Sequence, residues 1–75
     1  MTPLGEYLAK KSVNKSLVAR RTGLSKPRIS ELSLNSTAKL RADELVLIAK
    51  AIDVDPCELL MKLYGDLELK ESNRS

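Results

Sequence analysis

Residues 18–29 read VARRTGLSKPRI, and this segment decides the architecture. Gly23 is the residue type that takes the left-handed backbone at which helices end. Ser25, two positions on, is a helix N-cap. Pro27 then falls in a first turn, where its missing amide hydrogen leaves no helical bond unmade. One helix therefore stops at Gly23 and the next starts after Ser25, and such a pair joined by a turn of about three or four residues must cross closely. Ala19 is small enough to allow that approach, Leu24 plugs the turn, and Ile29 pins the second helix to the core behind it. Ile29 and Leu32, three apart, face inward, which leaves Lys26, Pro27, Arg28, Ser30 and Glu31 on the outer side or rim.

Working outward, Asn14 caps the first of these helices, and Val13 with Val18 suits a hydrophobic staple. Further upstream Thr2 and Pro3 start a helix in which Leu4 and Leu8 share a face with Tyr7 beside them, and Gly5 weakens it. Downstream, SLNSTAKL (Ser33 to Leu40) is a polar loop in which Asn35 is well placed for positive φ. Leu45, Ile48, Ala49 and Ile52 then recur with helical period, and Asp43 and Glu44 sit at the positive end of that helix. DVDP breaks it, Pro56 opens another in which Leu59, Leu60 and Leu63 are expected to bury, and Gly65 stops the chain's last helix. The expected fold is all-α, with helices at about 3–11, 15–22, 26–33, 42–52 and 56–64. Residues 1–65 form the expected domain and residues 66–75 a short acidic and polar tail. Its Leu67-Glu68-Leu69 alternation fits a short strand, a helix extension or an arm ordered on self-association, and its last five residues are expected to be disordered.

Composition narrows the function classes. A chain of 75 residues is one domain at most. Its apolar residues are mostly aliphatic, with Tyr7 and Tyr64 as the aromatics, which suits a helical bundle better than a sheet. There is no histidine and one cysteine, Cys57, so a structural zinc site lacks ligands and the usual proton shuttle of acid–base catalysis is missing. An enzyme is not expected, nor a cofactor, a metal or a small-molecule ligand. A lone thiol suits a reducing cytoplasm, and Cys57 reads as a small half-buried apolar residue. No apolar run approaches the roughly 20 residues that span a bilayer, and no signal peptide is apparent, so a soluble cytoplasmic chain is expected. Charge is unevenly spread. Residues 1–41 carry nine Lys/Arg against Glu6 and Glu31, a balance of +7, whereas residues 42–75 carry four against eight, a balance of −4. The first half suits a polyanion and the second does not.

The segments NKSLVARRTGLSKPRISEL and ELVLIAKAIDVDPCELL resemble the Cro/phage-repressor type (XRE) helix-turn-helix domain, over roughly residues 4–64. The resemblance implies a five-helix, lambda-repressor-like bundle that binds double-stranded DNA, usually as a homodimer on a palindromic site, for transcriptional control. In that frame Lys26, Pro27 and Glu31 fall at base-reading positions of the recognition helix, and Arg28 and Ser30 reach either base or backbone. Lys15 occupies a phosphate-contacting position that is commonly Gln in the family, and Lys39 and Arg41 match positions that often clamp a phosphate. Asn14, Ser25 and Asn35 complete the expected phosphate contacts. Asn35 stands where the family commonly has Gly, and Ser33 where Glu is frequent.

Plainer roles exist for the same residues. Lys15 and Arg28 also read as solvated charges, Pro27 as a helix-start residue alone, and Arg20 and Arg21 as helix surface. Glu31 beside a DNA backbone is repelled unless it meets a base donor or an arginine. The alternative function is a protein-interaction module on the same fold, an antirepressor or antitoxin-like adaptor.

Overall fold

The computed structural model describes residues 1–70 and shows five helices: α1 Pro3–Lys10, α2 Lys15–Thr22, α3 Lys26–Leu34, α4 Ala42–Ala51 and α5 Pro56–Tyr64. Among the described residues there is no strand. The expected disorder of the last five residues lies outside the described residues. Each helix begins within a residue or two of a polar residue or a proline, because the first amides of a helix need acceptors from outside it. Asn14 Oδ1 accepts from the amides of Ser16 (2.7 Å) and Leu17 (3.3 Å), and Asp55 accepts from Glu58 (3.2 Å). Gly23 ends α2 at φ 81°, its amide donating to the Ala19 carbonyl at 3.0 Å.

One aliphatic core joins the helices. Leu4 and Leu8 of α1, Val18 of α2, Ile29 and Leu32 of α3, Leu45, Ile48, Ala49 and Ala51 of α4, and Leu59 of α5 are buried together. α3 packs against α1 and α2, and α4 packs against α2 and α5. Arg21 does more than decorate the α2 surface: its Nη1 donates to the Ala51 carbonyl at 2.8 Å, a cation on the negative end of α4 that ties it to α2. Two expectations for α5 are corrected. Leu60 is 44% exposed, because it neighbours fully buried Leu59 and so points about 100° away on the helix. Cys57 is exposed rather than half-buried.

The junction of α1 with the end of α3 was not foreseen. The Thr2 hydroxyl accepts from the Gly5 amide (3.0 Å) as the α1 N-cap, while its proton faces the carbonyl oxygens of Leu32 (2.7 Å) and Ser33 (2.9 Å). The Thr2 amide also donates to Ser33 O at 2.9 Å. Ser33 is 1% exposed and bonds back to Ile29 O at 2.8 Å. The backbone of α1 thus lies directly on the last turn of α3, and Gly5 is the residue that permits it, since a Cβ there would collide with the Ser33 carbonyl. Gly5→Ala therefore reverses the usual sign of a helical glycine substitution. In an open helix it would stabilise by about 1 kcal/mol, but here overpacking costs about 1–3 kcal/mol. Urea denaturation of the two proteins reads the difference, and a more stable alanine variant would remove this account of the junction.

Candidate nucleic-acid interface

The candidate surface is built on a short, firmly anchored helix. Ser25 Oγ accepts from the Arg28 amide at 3.1 Å, Pro27 occupies the first turn, and Ile29 (1% exposed) and Leu32 (3%) hold α3 down. With that face committed to the core, Lys26, Pro27 and Glu31 are exposed, and Ser30 and Arg28 are half-buried at the rim. Lys26 forms no ion pair among the described residues. Ser25 keeps its hydroxyl proton, which no hydrogen bond among the described residues uses, and Asn14 has its side-chain oxygen committed to the α2 cap. Lys15 is half-buried at the start of α2, and Lys39 and Arg41 are exposed just before α4. Arg41 reaches Asp43 at 3.3 Å, but with side chains 72% and 62% exposed that pair contributes little and opens readily.

The loop between α3 and α4 departs from expectation. Asn35 has φ −98°, extended rather than left-handed. Its side chain explains the difference: Oδ1 accepts from the Thr37 amide (2.9 Å) and the Thr37 hydroxyl (2.7 Å), and Asn35 O accepts from the Ala38 amide (3.0 Å). The side chain makes the turn that a glycine makes with positive φ. The described non-glycine residues with positive φ lie elsewhere, at Ser12 and Asp53.

Arg28 occupies the centre of the surface and is heavily engaged. Its Nε donates to Glu44 Oε2 (2.9 Å) and its Nη2 to Glu44 Oε1 (3.0 Å), a two-pronged pair. Nη2 also donates to the Lys39 carbonyl (2.9 Å), and Nη1 to Glu31 Oε1 (2.9 Å). Glu44 is 5% exposed and also accepts from the Arg41 amide at 2.9 Å, the glutamate half of a capping box. The Arg28 hydrogen bonds hold the Glu44 carboxyl below its ordinary value of 4.5, with the Arg41 amide adding to them against the opposing effect of burial, and the Arg28 pKa is raised. Glu31 was within reach of sequence reasoning, since residues three apart on a helix are neighbours. Glu44 was not singled out for a site, and nothing local signals a partner that far along the chain.

A tight, glycine-ended turn carrying an exposed, capped second helix defines the helix-turn-helix class of domain. The family model described as the Cro/C1-type HTH DNA-binding domain matches residues 4–61. The chain belongs to that family. No curated protein and no solved structure matches it at the stringency applied. No helix among the described residues is long and apolar enough to cross a membrane.

The lowered carboxyl of Glu44 makes stability depend on pH. Its ionisation favours the fold fully above about pH 4.5, and that contribution is lost as acid protonates the carboxylate within the folded chain. Glu44→Gln is expected to lower the melting temperature at pH 7, and its gap from the wild type narrows as the pH falls below 4.5. Thermal melts across pH 3–7 check this, and a gap of constant size would show that packing rather than charge is at stake.

Proposed function

We propose that this chain is a transcriptional regulator that binds double-stranded DNA sequence-specifically, as a homodimer on a palindromic site, with α3 in the major groove. The observation that carries the reading is the exposed outer face of α3, flanked on the same half of the chain by Lys15, Lys39 and Arg41. A groove about 12 Å wide admits a helix held proud of its neighbours in this way. Lys26 donates to guanine O6 and N7, Glu31 accepts from cytosine N4, and Pro27 meets a thymine methyl group. Ser30 contacts base or backbone. Lys15, Lys39 and Arg41 contact phosphates through charge, and Ser25, Asn14 and Asn35 approach the backbone with their remaining donors.

On this reading residues 1–65 are the DNA-binding unit, and self-association uses α5 and the start of the tail. Leu60 (44%), Met61 (62%), Tyr64 (39%), Leu67 (77%) and Leu69 (79%) are all exposed there. They lie in the half of the chain with the acidic balance, which a polyanion does not attract. One recognition helix reads only a few base pairs, and a second copy about 34 Å away along the duplex supplies the missing discrimination. The protein acts in the cytoplasm, on DNA, without catalysis.

Titration of a labelled random duplex followed by fluorescence anisotropy is expected to show binding whose log affinity falls with log salt, with a slope of about −3 per domain from Lys15, Lys39 and Arg41. Lys15→Ala or Lys39→Ala each reduce that slope by about 1. No binding at low salt would instead favour the protein-interaction module. Leu60→Asp separates the dimer from the reading surface. It is expected to leave affinity for an isolated half-site unchanged and to abolish the gain from a second half-site one turn away, with light scattering reporting a monomer.

A further inference from the structure

The two basic residues at the front of α3 are not equivalent, because Lys26 is unpaired among the described residues while the Arg28 guanidinium is closed on protein acceptors with all but one of its N–H groups. Its fork lies on a carboxylate that is 5% exposed and is itself held by the Arg41 amide. Drawing Arg28 out to a base would leave Glu44 buried without its counter-charge, which a protein interior tolerates poorly. Taken with Glu31 and Glu44, moreover, Arg28 belongs to a cluster of one positive and two negative charges, so it displaces no counterion from DNA.

What Arg28 does accomplish is visible at Glu31. This carboxylate is exposed on the face expected to meet DNA, and it bonds Arg28 through Oε1 only, leaving Oε2 without a hydrogen-bond donor among the described residues. We propose that Arg28 is a positioning residue and that Glu31, held by it at Oε1, is the specificity-determining residue that accepts at Oε2 from the exocyclic amino group of a cytosine in each half-site. The neighbouring guanidinium offsets the repulsion between Glu31 and the phosphates and holds the carboxylate in one orientation. Through Glu44 and the Lys39 carbonyl the same group ties the reading helix to the loop that carries Lys39 and Arg41, so that base reading and phosphate clamping share one register. The inference rests on the DNA-binding function proposed above.

The test begins with selection of bound sites from a random duplex pool. Anisotropy titrations at several salt concentrations then compare four duplexes that differ at the Glu31-dependent base pair, for the wild type, Glu31→Ala, Arg28→Gln, Arg28→Lys and the Arg28→Gln/Glu31→Ala double variant. The wild type is expected to prefer cytosine by roughly tenfold. Glu31→Ala loses that preference, both Arg28 variants lose it at the same base pair, and the double variant is no worse than either single one. The salt slope stays at the wild-type value in Arg28→Gln. Should Arg28→Gln fail to fold, Arg28→Lys carries the test, since it keeps the stem and the charge and lacks the fork. Arg28→Lys with its cytosine preference intact overturns the inference, as does relaxation at a different base pair or a slope smaller by about 1 in Arg28→Gln. Each of those outcomes leaves DNA binding itself standing, whereas a wild type that binds no duplex at low salt overturns both.

Discussion

Everything on the outer surface of this domain depends on the burial of Ile29. A nine-residue helix is too short to persist alone in water, so α3 exists because it is capped and because one of its faces is held. Ile29 and Leu32 give that face an orientation, and Ser33 extends it under α1. Once those three are inside, helical geometry leaves no choice about where Lys26, Pro27 and Glu31 point. The core residues are therefore the aiming device for the outer ones.

The same constraint explains why the α1–α3 junction is built from small and polar groups. The end of α3 must be fixed without adding bulk that would tilt it. The Thr2 hydroxyl meets the Leu32 and Ser33 carbonyls of the last turn, the Ser33 hydroxyl bonds back to Ile29 O, and Gly5 lets two backbones touch. At the other end of the helix Arg28 performs the equivalent task with charge, bridging α3, the following loop and the start of α4. α3 is thus fastened at one end by backbone contact and at the other by an ion pair, with apolar burial between.

Much of this was legible in the sequence, and what was legible was local. Thr2, Asn14, Ser25 and Asp55 or Pro56 mark helix starts because a cap needs only its own amides three residues on, and Gly23 marks an end for an equally local reason. The helices follow from such signals to within about a residue. Asn35 went differently because a side chain can make a turn in place of a backbone angle, and residue type alone does not say which. Leu59 and Leu60 could not be sorted until the direction of α5 against α4 was known. Nothing around Arg28 in the sequence reveals its partner Glu44, which lies in another helix, and only the packing of α3 beside α4 brings them together. At the site, then, the sequence pattern identified the helix and its outward residues, while their division into free and engaged charges waited for tertiary structure.

That division changes how a surface of this kind should be weighed. The count of basic residues in the first half overstates the field offered to a polyanion, since Arg28 is neutralised and outnumbered by two carboxylates. On the proposed function, affinity for any duplex then falls mainly on a few separated cations, which is a weak basis for lone binding. Weak general attraction is an advantage where discrimination matters, because competing sites are suppressed in proportion while correctly formed base contacts are not. If α3 enters the groove as proposed, an acidic side chain on it works in the same direction: opposite a donor it is satisfied, and opposite an acceptor it is repelled. On the function proposed above, a domain that gives up charge at the centre of its interface and fixes an acceptor there favours selectivity over grip, and that balance makes a second copy on the same duplex physically sensible.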